Sequence, residues 1–260
     1  MEMIIMVAVC LFAGLAAGVG TGFAGMSAAA AITPLLVTFL GMEPYEAVGI
    51  ALASDVLASA ASAVMYGKNK NLDIKNGLAM MLAVLAFTVV GSYVSSLLPA
   101  ATMGSFSVFM TMMLGLKFIL RPVMTTKEKM QAGNPRKRLL YSVLAGVLVG
   151  FVCGFVGAGG GMMMLLVLTS VLGYELKTAV GTSVFIMSFT ALTGAISHFV
   201  IGGVREWTAL GLCVTFTLIF ARMAAWLANR AKPSILNRVV GIVLVLIGVV
   251  ILSVEYGPWG

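Results

Sequence analysis

Gly150-Phe-Val-Cys-Gly154-Phe-Val-Gly157-Ala-Gly159-Gly160-Gly161 lies between apolar runs long enough to cross a bilayer, and no charged residue occurs from Leu139 to Gly173. In such surroundings the backbone must pack against protein or line a cavity. Glycine leaves its N–H group open, so three adjacent glycines can aim successive amides at one anionic group. A helix starting at Met162 would add the positive end of its dipole. Gly150, Gly154 and Gly157 have a second use, as small-xxx-small positions that let two helices approach closely. Gly159, Gly160 and Gly161 do not fit that pattern. They fall on three faces of a helix and together disfavour it, so a break is expected there.

The stretch has an earlier echo. Moving every number down by 132 lays Gly146, Gly150, Gly154, Phe155 and Gly157 onto Gly14, Gly18, Gly22, Phe23 and Gly25. The match continues without a gap, since Leu172, Gly173, Glu175, Ala179, Val180 and Gly181 fall on Leu40, Gly41, Glu43, Ala47, Val48 and Gly49. Apolar matches alone would mean little in this composition, but glycine and glutamate matches at one offset mark an internal repeat.

Hydrophobic residues make up 61% of the 260 residues and charged residues 10%, which with several long uncharged runs defines an all-α polytopic membrane protein. Met1-Glu2-Met3 supplies no basic region ahead of the first apolar run, so that run is expected to be a retained helix rather than a cleaved signal. Cys10, Cys153 and Cys213 all sit in apolar segments, with neither a disulfide framework nor a metal-ligand spacing. The net charge of +7 is concentrated in a few loops, which is the signature of membrane topology and not of nucleic-acid binding.

Ten apolar segments are expected: residues 3–22, 27–40, 45–66, 75–98 and 103–121, then 138–156, 161–173, 176–200, 206–229 and 234–254. They divide the chain into a first repeat (1–121), a cytoplasmic linker (122–137) and a second repeat (138–260), each repeat with four long helices and one short one. Basic residues cluster at Lys68 to Lys75, at Arg121 to Arg138 and at Arg230 to Arg238, and all three loops are assigned to the cytoplasm. For that assignment every segment must carry the chain across, so five crossings per repeat invert the second copy. Equivalent loops also exchange their charge bias, as inversion requires. An eight-helix alternative with re-entrant short segments and parallel repeats leaves one basic loop on the wrong side.

Segments 27–40 and 161–173 are too short to span as helices, at about 20 Å against a hydrocarbon core of about 30 Å. Extended, glycine-rich chain must supply the missing depth, which places each short helix's N-terminus inside the membrane. Inverted repeats bring two such positive ends together near the midplane, an arrangement that suits a small anion.

The run Gly150 to Gly161 entering a short apolar segment, followed by Leu172-Gly173 and by Ala179-Val180-Gly181-Thr182-Ser183, resembles the sulfite exporter TauE/SafE family. The resemblance covers both halves outside the linker. It implies a transporter, expected to be an exporter, of sulfite, organosulfonates or other small anions across the cytoplasmic membrane. Two departures stand out. Met26-Ser27-Ala28-Ala29 replaces the glycine triplet in the first repeat, and Leu166 stands where a proline is common in the second. The half-sites are therefore unequal, with Thr21 and Ser27 as candidate hydroxyl donors in one of them.

The candidate substrate-binding residues are Gly22, Gly25, Ser27, Gly157, Gly159, Gly160, Gly161 and Ser183. Asp55 falls near the bilayer centre, where an ionised carboxylate is costly by at least a few kcal/mol, so it must be protonated, paired or wet. It is a candidate for proton or cation coupling or a structural hydrogen-bonding group, and Arg222 is the expected partner. Arg222 is also within snorkelling reach of the basic cluster at Arg230, and Lys117 snorkels near Arg121. His198 is a candidate proton shuttle or an ordinary surface contact. Ser54, Ser59, Ser62, Thr182, Ser183 and Ser188 could line a pore or serve as helix packing. Glu43 and Glu175 are loop acids or gate residues. No metal, cofactor or nucleotide motif is present, because Gly157 to Gly161 lacks the following Lys-Ser/Thr. The chain is expected to be a secondary transporter and not an enzyme, with an anion channel as the alternative. Its expected partners are a small anion and the lipid bilayer, with homo-oligomerisation left open.

Overall fold

A computed structural model describes residues 2–96, 104–132, 134–156, 160–203 and 205–256. The described residues form eleven α-helices: α1 (Glu2–Ala24), α2 (Ala29–Leu40), α3 (Pro44–Lys68), α4 (Ile74–Ser96), α5 (Gly104–Leu120), α6 (Lys127–Gln131), α7 (Pro135–Val156), α8 (Gly160–Ser170), α9 (Leu176–Gly202), α10 (Trp207–Arg230) and α11 (Pro233–Tyr256). No strand occurs among them. Among the described residues, six helices are long and apolar enough to cross a membrane: α1, α3, α4, α9, α10 and α11. Large apolar side chains such as Ile4, Leu82, Val89 and Leu246 point outward, where only lipid tails would cover them. This is a multi-pass membrane protein.

Local chemistry sets the helix ends. Pro44 opens α3 and the Glu43 carboxylate accepts from the Tyr45 and Glu46 amides, satisfying two donors the helix cannot. The short helices stop alike. Gly41 after α2 and Gly173 after α8 take left-handed φ values of 62° and 64°, which only glycine adopts freely. The Met42 amide then returns to the Leu36 carbonyl and the Tyr174 amide to the Leu168 carbonyl, so the same closure recurs at the repeat offset.

One expected boundary moves. α7 starts at Pro135, three residues before the expected 138, so Arg136 and Lys137 lie on its first turn instead of ending the linker. The linker itself holds α6, capped by Thr126. It is fastened to α11 by Asn237, whose side chain accepts from the Val123 amide and donates to the Val123 carbonyl.

The two halves interlock. α1 lies along α10 and α4 along α7, while α3 packs on α9 and α5 on α11. A Cβ on Gly14 would meet Phe216, on Gly18 Phe220 and on Gly22 Ala224, so α1 and α10 run parallel in close contact. Gly146 and Gly150 approach Met80 and Val84 of α4 in the same way. By contrast, Gly49 lies beside His198, Gly194 beside Leu52 and Gly181 beside Tyr66, so α3 and α9 are antiparallel. α5 and α11 are antiparallel too, with Gly115 beside Leu244 and Gly248 beside Met112.

A Cβ at Gly150 would sit 2.5 Å from the Val84 carbonyl oxygen, whereas one at Gly211 would meet nothing within 4 Å. Gly150→Ala should therefore destabilise by about 1–3 kcal/mol through overpacking, and Gly211→Ala should change stability by less than about 0.5 kcal/mol. Thermal unfolding of the two variants in detergent checks this contrast.

Candidate functional site

α1 ends inside the bundle. Gly25 takes a left-handed φ of 61° and its amide donates to the Thr21 carbonyl, an αL closure, after which residues 25–27 run non-helically to α2. The exposed polar groups of this break are answered locally. The Met26 amide donates to the Gly20 carbonyl, and the Thr21 hydroxyl donates to the Met26 carbonyl at 2.8 Å.

Candidate residues from both halves converge on this break. A Cβ on Gly25 would overlap the Ser183 hydroxyl of α9, and one on Gly161 would overlap the Gly25 carbonyl oxygen and the Met187 sulfur. Gly25, Gly161, Ser183 and Met187 thus close on one another without room for a methyl group. Ser183 is fully buried, and its hydroxyl donates to the Val180 carbonyl one turn earlier.

Asp55, 1% exposed on α3, fastens the break from the other side. Its two carboxylate oxygens accept from Ser27 at 2.8 Å and Ser59 at 2.7 Å, and the Ala28 backbone amide also donates to it. The donors just ahead of α2 therefore already hold a carboxyl group that belongs to the protein. At the equivalent place in the second half stands Met187, which offers no charge to the start of α8.

Several expectations need correction. Gly160 and Gly161 belong to the first turn of α8, so the helix starts two residues before Met162. The first amides of a helix lack intrahelical partners in any case, so glycine is tolerated there, and at Gly161 its missing side chain admits the Gly25 carbonyl. Gly157 and Gly159 lie outside the described residues. Gly22 is a packing position within α1: its Cβ would sit 2.5 Å from the Ala221 oxygen, and its carbonyl accepts from the buried Tyr66 hydroxyl at 2.9 Å. The Thr21 and Ser27 hydroxyls are engaged within the protein. Arg222 is exposed on α10 and does not partner Asp55, whose donors Ser27, Ser59 and Ala28 are all uncharged.

The remaining candidates sit at the periphery. His198 Nδ1 lies 3.1 Å from the Tyr45 carbonyl and its ring stacks on Tyr45. Glu43 caps α3, while Glu175 accepts from Thr178 at 2.9 Å. Lys117 reaches Thr169 and Ser170 at the end of α8. Cys10 of α1 and Cys213 of α10, by contrast, are buried free thiols.

Two features escaped the sequence reading. Tyr66 continues the polar face of Asp55, Ser59 and Ser62, a spacing that alone could have revealed it. At the basic-loop end, Asp73 receives the Tyr174 hydroxyl at 2.9 Å and the Asn76 amide nitrogen at 2.7 Å, and its own backbone amide donates to Thr182. Burial, with the Asp73 charge beside it, pushes the Tyr174 phenol above its ordinary range, so it remains a neutral donor. This cluster ties the α3–α4 loop to the start of α9. Lys127 of the linker bonds the Lys70 carbonyl and the Asn71 side chain of the same loop.

The profile of the sulfite exporter TauE/SafE family matches residues 10–251, nearly the whole chain. The chain belongs to the sulfite exporter TauE/SafE family. It is 27% identical over 265 residues to the probable membrane transporter protein YunE of Bacillus subtilis, covering 95% of this chain and 96% of that one. A probable membrane transporter protein of Haemophilus influenzae is 22% identical over 85% of this chain and 84% of its own. YdhB of B. subtilis, another probable membrane transporter protein, is 32% identical over 42% of this chain and 44% of its own. No solved structure matches. The fold and these relatives make the protein a membrane transporter and not an enzyme.

Gly25→Ala should destabilise the protein by about 3 kcal/mol, combining left-handed strain of about 1–2 kcal/mol with the clash against Ser183. Adding Ser183→Ala should recover the clash and leave the strain, as thermal unfolding of the single and double variants can measure.

Proposed function

We propose that the chain is a secondary transporter, working as an exporter, for a small anion of the sulfite or organosulfonate class. The anion binds where the broken end of α1 parts from the start of α8, at Gly25, Gly160, Gly161 and Ser183, of which Gly25, Gly161 and Ser183 are packed shut on one another in the conformation described. The observation that carries this reading is the buried convergence of Gly25, Gly161 and Ser183, which brings residues far apart in sequence to one point. First-turn amides of α8 carry the positive end of that helix, and Met187 stands there in place of the carboxylate that Asp55 offers to α2.

Residues 1–121 and 138–260 are read as two inverted repeats joined by the 122–137 linker. Equivalent helices α3 and α9 run antiparallel, as do α5 and α11, which a two-fold axis in the membrane plane requires and parallel repeats would forbid. The cross-pairing of α1 with α10 and α4 with α7 fits the same axis. Alternating access then rocks one interlocked bundle against the other, with the Asp73–Tyr174–Thr182 cluster closing the cytoplasmic side. Asp55 is the coupling group, because protonating it weakens its hold on Ser27 and Ala28 and so frees the break to move.

Purified protein in liposomes should move sulfite or a small organosulfonate saturably, with a rate that depends on a pH gradient, while chloride is left behind. Gly161→Val should cut that flux on the order of a hundredfold, because displacing a binding group by about 1 Å costs that much. Tracer flux with a panel of sulfite, sulfate, thiosulfate, sulfoacetate and chloride checks both outcomes. Unselective, non-saturating conduction would instead indicate a channel.

A further inference from the structure

Asp55, Ser59, Ser62 and Tyr66 follow one another on α3 at spacings of four, three and four residues, so all four share one face of the helix. Each is at most 1% exposed. The Ser59 hydroxyl donates to Asp55 at 2.7 Å, and the Tyr66 hydroxyl donates to the Gly22 carbonyl. Between them the Ser62 hydroxyl is fully buried without a hydrogen-bond partner among the described residues. An ordered water beside Ser62 would supply the partner its hydroxyl lacks. Beyond Tyr66 the helix reaches the exposed Lys68, Asn69 and Lys70 of a basic, cytoplasmic loop.

The other half carries no such row. Positions equivalent to Asp55, Ser59, Ser62 and Tyr66 on α9 are Met187, Ala191, Gly194 and His198, so three hydroxyl or carboxyl steps are replaced by groups that cannot pass a proton. In the inverted arrangement these residues run from the midplane to the outer face.

We infer that the Asp55–Ser59–Ser62–Tyr66 face of α3 is a one-sided proton path, holding water at Ser62 and delivering protons to Asp55 from the cytoplasm. The inference rests on Asp55 being the coupling group. In one passage the Ser59 hydroxyl gives its proton to Asp55 Oδ1 and takes one from the water at Ser62. That water is recharged from the cytoplasmic end, so each oxygen gives one proton and receives one. Charged groups on the elements packed against α3 stay out of the path. Lys177 of α9 is held by the Asn229 carbonyl, His198 by Tyr45, Arg222 of α10 is exposed and Arg230 lies over Trp226. α2 contributes no charged residue, and Glu2 stands at the far end of α1 from the break.

The test is a one-sided pH jump on proteoliposomes of known orientation, following Asp55 protonation as the infrared carbonyl band that disappears in Asp55→Asn. Acidifying the cytoplasmic side should protonate Asp55 rapidly. Ser62→Val should slow this on the order of tenfold and Ser62→Thr should restore it. Ser59→Ala, which removes only the hydroxyl next to the carboxylate, should slow it independently and serves if Ser62→Val does not fold. Wild-type rates in Ser62→Val or Ser59→Ala, or equal access from the outer side, would overturn the path and leave Asp55 as the coupling group. Absence of any band specific to Asp55 would overturn the coupling reading, and the path with it.

Discussion

In a lipid interior every backbone N–H and C=O must find its partner within the protein, and the break between α1 and α2 is arranged around that demand. Gly25 turns left-handed so that its amide can reach the Thr21 carbonyl, and the Thr21 hydroxyl covers the Met26 carbonyl. Ser27 and the Ala28 amide are then answered by a carboxylate brought over from α3. Asp55 is buried because the break needs an acceptor, and the break is tolerated because Asp55 is there.

Close approach of backbones is the second requirement, and it falls on different glycines. Gly14, Gly18 and Gly22 seat α1 on α10, as Gly146 and Gly150 seat α7 on α4. Each half thus buries its first helix against the fourth helix of the other. Neither half could keep this packing alone. Gly25 and Gly161 at the crossing serve differently, since they allow a carbonyl and a hydroxyl to come where a methyl group would stand.

The repeats share helix lengths and end closures but not chemistry at their centres. α2 starts against Asp55 and α8 against Met187, so a carboxyl group faces one helix start and a thioether the other.

The membrane class, the helical segments, the internal repeat and the family resemblance are all legible in the amino-acid order, because hydrophobic run length, loop charge and a fixed offset are written locally along the chain. Asp55 is likewise anomalous from its depth in an apolar segment alone. Which neighbour answers that carboxylate emerges only from the folded chain. Arg222 was the expected partner because opposite charges attract, but α10 turns it outward, and Ser27 and Ser59 satisfy Asp55 at shorter reach. Folding likewise separates Gly22, a packing glycine, from Gly25 and Gly161, which meet across the two halves. Local pattern fixes where a helix can form and stop, whereas the partner of a buried polar group depends on which helix faces are turned together, and that is settled by packing between segments far apart in the chain.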